Sequence, residues 1–173
     1  MKNNNLKLAI DSYKNFPQEG IVFRDVLPIL GNPDIFSDLI YEMSSSDVLR
    51  KSDAIIAIDA RGFIFGAAIS FHISKPLVVA RKPGKLPGEI ITKTYVTEYS
   101  EDELSIQLGT GKVIIVDDVL ATGGTLSTVN SLCISAGYDV RGSLVLIDLK
   151  YVPRSSAFIN IASPFIKSLI QYE

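Results

Sequence analysis

One histidine and one cysteine are all that the 173 residues offer to the commonest nucleophile and metal chemistries. His72 stands alone in an apolar run away from every other motif. Ser–His and Cys–His relays in their usual form are therefore excluded, as is a zinc site built on histidine. Cys133 has no partner for an internal disulfide; set in an apolar helical pattern, it reads as a small buried hydrophobe and fits a reducing cytoplasm. An excess of one charge is lacking too. Seventeen Lys and Arg against 19 Asp and Glu leave a formal net charge of −2, and no basic run exceeds two residues. A nucleic-acid-binding face is not expected from that pattern. No apolar stretch reaches the length of a bilayer span, and the polar start Met1 to Asn5 has no apolar run behind it. Neither a membrane segment nor a secretory signal is therefore expected. Repeats and low-complexity linkers are missing as well. With 47% hydrophobic and 21% charged residues, the chain is expected to form a single domain, 1–173.

What is present is concentrated between Val113 and Ala136. Val113-Ile114-Ile115-Val116 is a β-branched run suited to a buried strand, and it stops at the adjacent carboxylates Asp117 and Asp118. A loop, Ala121-Thr122-Gly123-Gly124-Thr125, precedes an amphipathic run from Leu126 to Ala136. Strand, loop and helix in that order put the loop at the carboxyl end of a parallel strand, where open α/β sheets bind ligands. Thr122 to Thr125 can direct several N–H groups and two hydroxyls at one spot beside a helix N-terminus, an arrangement that suits a phosphate. The acid pair suits vicinal hydroxyls or a hydrated Mg²⁺. Together these features describe a sugar-phosphate site. A P-loop ATPase also ends a strand in acids, but Gly109-Thr110-Gly111-Lys112 lacks the upstream Gly of its phosphate loop and enters a strand instead of a helix.

Leu6 to Tyr13 reads as a short helix, Phe16 to Gly20 as a turn and Ile21 to Val26 as an extended segment. Asn32-Pro33 opens a helix to about Met43. Ala54 to Ile58 reads as a strand, Asp59 to Gly62 as a loop, Phe63 to His72 as a helix, and Leu77 to Ala80, Val113 to Asp117 and Ser143 to Leu149 as further strands. About five mostly parallel strands flanked by helices are expected, an α/β fold. Arg81 to Glu103, broken by Pro83, Gly84, Pro87 and Gly88, is too long for a routine connection and is expected to be a flexible, partly β flap.

At the strand–acid–loop signature the chain resembles the type I phosphoribosyltransferases, which bind 5-phosphoribosyl 1-pyrophosphate (PRPP). Ala121 narrows the resemblance. The hypoxanthine–guanine enzymes typically hold an Asp there, and xanthine enzymes with Ala follow it with Asn-Gly. Thr122-Gly123-Gly124-Thr125 is closer to the adenine-using enzymes. Further matches run along nearly the whole chain: Phe16-Pro17, Gly20 and Val22 to Asp25 as a base-binding segment, Asp59 to Phe63 as a pyrophosphate loop, and Arg81 to Gly88 with Tyr95, Glu98 and Tyr99 as a mobile flap.

The resemblance implies a type I fold with a small hood, from about 1–30 and 149–173, and a flap at about 81–103. It implies conversion of adenine and PRPP to AMP and pyrophosphate with Mg²⁺, in a cytoplasmic homodimer. Ala121, Thr122, Gly123, Gly124 and Thr125 would bind the 5′-phosphate; Asp117 and Asp118 the ribose and, through water and PRPP, the metal. Arg61, Arg81, Lys82 and Lys85 would meet pyrophosphate, whose departure needs cations placed in advance. Val22, Phe23, Arg24 and Val152 would hold adenine, and Glu98 would bond the purine N7; Glu98, Asp117, Asp118 and Arg61 would carry catalysis. A cis non-proline peptide is implied near Ala60. The chain departs from the family in two places: the connection Leu108 to Gly111 is short, and Leu149-Lys150-Tyr151-Val152-Pro153-Arg154 replaces the usual Leu-x-x-Leu-x-Gly-Arg. Two other functions fit the same residues: a purine enzyme preferring another base, and a PRPP-binding regulator without chemistry.

Overall fold

The structure, a computed structural model, describes residues 3–96, 101–160 and 165–173. Its centre is a five-stranded parallel sheet. In chain order the strands are β3 (Ala54–Ile58), β4 (Leu77–Ala80), β7 (Lys112–Leu120), β8 (Asp139–Leu149) and β9 (Ile166–Tyr172). In space they lie in the order β4-β3-β7-β8-β9. A right-handed connection from β3 to β4 and another from β7 to β8 run outward in opposite directions, so their helices must lie on opposite faces. They do. Helix α4 (Arg61–Ile73) packs with α2 (Pro33–Ser44) on one face and α5 (Gly124–Ser135) covers the other.

Alternation along β7 feeds both layers. Ile114 and Val116 join Leu39, Met43, Phe65 and Ile69 on the α2/α4 side, whereas Val113 and Ile115 join Leu126, Val129 and Cys133 on the α5 side. All four β7 residues are fully buried, each contributing about 1.5–3 kcal/mol of apolar transfer free energy. Helix α2 starts as its sequence implies, with Asn32 Oδ1 accepting from the Ile35 N–H at 3.2 Å and Pro33 in the first turn. Burial pushes the Cys133 thiol up to about 12, so it carries no thiolate at neutral pH.

Several expectations are corrected. The amino-terminal helix is α1 (Asn3–Leu8) and stops short of Tyr13, because Asp11–Lys14 (β1) pairs antiparallel with Val22–Asp25 (β2). A local helical pattern is there overridden by a pairing with residues further along. The acid pair does not end its strand: β7 runs on to Leu120, with Asp117 opposite Val145 and Leu120 opposite Asp148. The carboxyl-terminal part of the expected hood lies partly elsewhere, since β9 is a strand of the central sheet. The flap region is a hairpin, β5 (Ile90–Val96) paired with β6 (Glu101–Gln107). It is rooted by the buried Leu104 and Ile106, and Lys93 Nζ donates to Ser131 Oγ of α5 at 2.5 Å. No helix among the described residues is long and apolar enough to cross a membrane.

The close approach of α4 to the sheet depends on Gly66, where an added Cβ would lie 2.6 Å from the Ala57 Cβ. Gly66→Ala is expected to destabilise the protein by about 1–3 kcal/mol through overpacking. Urea denaturation measures this; an unchanged midpoint would mean that the helix can stand further from β3.

Candidate active site

The strand order itself creates the site. Because the chain leaves β3 toward one edge and β7 toward the other, their carboxyl ends part and leave a crevice, the place where open α/β sheets take ligands. Two loops flank it: Asp59-Ala60 after β3, with a cis peptide between those residues as expected, and Ala121 to Gly123 after β7. A polar cleft of about 320 Å³ lies there, lined by Asp59, Arg61, Asp117, Asp118 and Thr125 among others.

Arg61 is the first residue of α4 and not part of the preceding loop. Its Nε lies 2.7 Å from Asp118 Oδ2, pairing a partly exposed cation with a nearly buried carboxylate. Its guanidinium also sits 5.4 Å from the centroid of the Phe23 ring. Arg61 therefore bridges the acid pair and β2. Asp117 Oδ1 accepts the Asp118 N–H at 2.9 Å. Burial raises both carboxyls above the usual range. Asp117 is raised well above it, with repulsion from Asp118 adding to the effect of burial, while Arg61 offsets part of the shift at Asp118.

The loop after β7 is shaped by Gly123. Its φ is +83°, and an added Cβ would meet the Phe158 ring at 2.3 Å, so both backbone and space require glycine. Helix α5 then starts at Gly124, and the Ser127 N–H donates to the Gly123 carbonyl at 2.9 Å. The N–H groups ahead of Ser127 have no carbonyl one turn earlier in the helix to bond, and the positive end of the helix dipole adds to them. Thr122 Oγ1 accepts from Gly124 N–H at 3.4 Å, and both Thr122 and Thr125 are half-buried at the crevice. This is an anion-receptive turn.

A second, more apolar cleft of about 370 Å³ adjoins the first and shares Arg61, Val119 and Thr125 with it. Phe16, Val22, Phe23, Arg24, Ala121 and Leu149 are also on its walls. Phe16 and Phe23 meet edge to face at 5.3 Å. The Arg24 side chain extends toward Tyr172, with its guanidinium 4.0 Å from that ring's centroid. Val152 packs against the core, and Leu149 is the residue of its segment that lines the cleft.

The structure thus brings together Val22, Phe23, Arg24, Arg61, Asp117, Asp118, Ala121, Thr122 and Thr125. The basic loop is tied to the same crevice: Arg81 Nε lies 3.7 Å from Asp59 Oδ2, and the Lys82 N–H donates to that oxygen at 3.4 Å. Lys85 is exposed, and its carbonyl accepts from Arg81 at 3.5 Å. Glu98 and Tyr99 lie outside the described residues. Three residues at or behind the site carried no individual role in the sequence: Asp59, which tethers the basic loop, and Asp148 with Arg154. The last two form a part-buried ion pair behind the Thr-Gly loop. Asp59 was visible only as the head of Asp59-Ala60-Arg61-Gly62, and the Asp148–Arg154 spacing carries no period that would announce a contact.

Comparison with known proteins agrees with this geometry. A model of the phosphoribosyl transferase domain matches residues 30–154. An adenine phosphoribosyltransferase of Prochlorococcus marinus (strain MIT 9515) is 54% identical over 150 residues, covering 84% of this chain and 88% of its own. The crystal structure of adenine phosphoribosyltransferase from Thermoanaerobacter pseudethanolicus superposes with a TM-score of 0.88 at 35% identity, covering 99% of this chain and 100% of its own. The Saccharomyces cerevisiae enzyme, complexed with D-2,5-dideoxy-2,5-imino-altritol 1,6-bisphosphate and adenine, gives 0.86 at 34% identity, covering 97% and 98%.

A raised carboxyl is a stability cost whenever it is ionised. The folded protein holds the Asp117 proton more tightly than the unfolded chain, so its stability falls as pH rises above the ordinary value of 3.8. Asp117→Asn is expected to raise the melting temperature at neutral pH, with the gain fading as pH approaches 3.8. Thermal melts of both proteins across that range measure it; a variant equally or less stable at neutral pH would contradict the raised carboxyl.

Proposed function

The chain belongs to the phosphoribosyltransferase family, and on that premise we propose that it transfers the phosphoribosyl group of PRPP to adenine, forming AMP and pyrophosphate. One observation carries the reading: an apolar cleft and a carboxylate-lined cleft meet at Arg61, Val119 and Thr125, with an anion-receptive turn at their junction. A flat heterocycle suits the first and a sugar phosphate the second. The family model spans residues 30–154, so Phe16 to Arg24 lie ahead of it. Those residues supply walls of the apolar cleft, which supports assigning base choice to them.

In this reading Thr122 to Thr125 grip the 5′-phosphate through backbone N–H groups and hydroxyls. Asp117 and Asp118 accept from the ribose hydroxyls and, being close to C1′, favour a cationic sugar. Arg61 with the Arg81–Lys85 loop receives the pyrophosphate as its charge develops. The C1′–oxygen bond breaks, adenine N9 forms the new bond from the opposite face, and the N9 proton is released. Phe23 and Leu149 flank the base, and Ala121 leaves its edge without a charged partner. No group of three or more His, Cys, Asp or Glu among the described residues could hold a metal. That donor set would suit a Mg²⁺ carried mainly by PRPP phosphates, with Asp117 and Asp118 reaching it through water, since Mg²⁺ keeps several waters. When bound, the ion would neutralise phosphate charge. A cytoplasmic homodimer completes the proposal.

Steady-state product formation from Mg²⁺ and PRPP, with adenine, hypoxanthine, guanine, xanthine and orotate offered separately, tests the assignment. AMP should dominate. Turnover only with a 6-oxopurine would overturn the base assignment. Arg61→Ala and Asp118→Asn are each expected to lower kcat/KM by about 100-fold or more, as loss of an electrostatic partner in a preorganised site does. Wild-type rates from either folded variant would remove it from the site.

A further inference from the structure

Behind the Thr-Gly loop lies a contact set that the reaction as described does not use. Arg154 donates to the Leu120 carbonyl at 3.4 Å and, more closely, to the Ala121 carbonyl. The same guanidinium pairs with Asp148, a carboxylate only 3% exposed, whose other oxygen lies 2.7 Å from Lys150 Nζ. Arg154 is thus anchored by its charge to β8 while its other terminal nitrogen grips the last residue of β7 and the first of the loop. The segment that follows reinforces the grip. The Ser155 N–H donates to the Thr122 carbonyl at 2.9 Å, and Ser127 Oγ donates to the Ala157 carbonyl at 3.0 Å. Phe158, 5.7 Å from the Arg154 guanidinium, fills the space that Gly123 leaves open.

We propose that Arg154 is the positioning residue of the 5′-phosphate turn: it fixes the Leu120 and Ala121 carbonyls so that the N–H groups beyond them converge on one anion. Arg154 lines neither cleft of the active site, so it acts through the turn and not on substrate. A planar fork holds a carboxylate through one nitrogen and the two successive carbonyls through the other, at a spacing fixed by the guanidinium plane. A lysine would keep the charge beside Asp148 and lose the fork. The turn would then sample other arrangements, and the benefit of a bound phosphate would fall while contacts to base and ribose stay.

This rests on the assignment of Thr122–Thr125 to the 5′-phosphate, and the test separates the two. Dissociation constants of AMP and adenosine are measured by calorimetry for wild type and Arg154→Lys, with the KM for PRPP and for adenine alongside. The wild type should bind AMP more tightly than adenosine. In R154K that preference should shrink about tenfold, the scale of one lost charge-assisted hydrogen bond. The KM for PRPP should rise and the KM for adenine hold. If R154K does not fold, the double variant Asp148→Asn with Arg154→Gln removes both charges of the pair together and leaves no unpaired carboxylate; the same shrinkage is expected. A wild type indifferent to the phosphate would overturn both assignments. A wild-type preference that survives the substitution, or equal weakening of AMP and adenosine, would overturn the role of Arg154 alone.

Discussion

The constraint on which everything else depends is the pairing of β3 with β7. Ala54 to Ala57 lie in parallel register with Val113 to Val116, buried beneath helices on both faces. Right-handed connections then force the chain to leave these neighbours in opposite directions. The two loops cannot pack against each other, and a crevice opens between a carboxyl-bearing strand and a helix that begins with an arginine. The pairing is held by its backbone hydrogen-bond ladder and by apolar burial on both faces. The polar side chains are placed by it and contribute little to it.

Within that frame, the acids are tolerated inside the sheet because each has a partner close by. Asp118 has its counter-charge in Arg61 of α4, and Asp117 has the backbone N–H of Asp118. Neither partner removes the cost of burial, which is why both carboxyls stay raised. A site that keeps two reluctant anions side by side is suited to ligands that bring hydroxyls and cations to them.

Much of this was legible in the sequence because the signals were local. The β-branched run Val113 to Val116, the Asn32-Pro33 start of α2 and the apolar spacing of α4 and α5 each state their own structure, and the order of elements states the sheet. What escaped was settled at a distance. Asp11 to Lys14 became a strand because Val22 to Asp25 lies opposite. Asp117 to Leu120 stayed in β7 because β8 continues beside it. Ile166 to Tyr172 has only one buried residue, Ile170, as befits an edge, and so left little alternation to read. At the site, the types and order of the residues were legible, while their pairings were not. That Arg61 joins Asp118, that Asp59 holds the basic loop, and that Leu149 instead of Val152 faces the cleft are facts of packing.

The Arg61–Asp118 pair has a consequence for how the site meets charge. At rest, cation and carboxylate satisfy each other, so the crevice is closer to an internal salt than to an open positive socket. An anion that draws Arg61 toward itself strips Asp118 of its counter-ion in a half-enclosed space. The vacated carboxylate must then be matched by a proton or a cation arriving in the same event. An anion drawn to Arg61 is therefore met best when it brings its own counter-charge, whereas one held by the backbone N–H groups of the Thr-Gly turn displaces no ion pair.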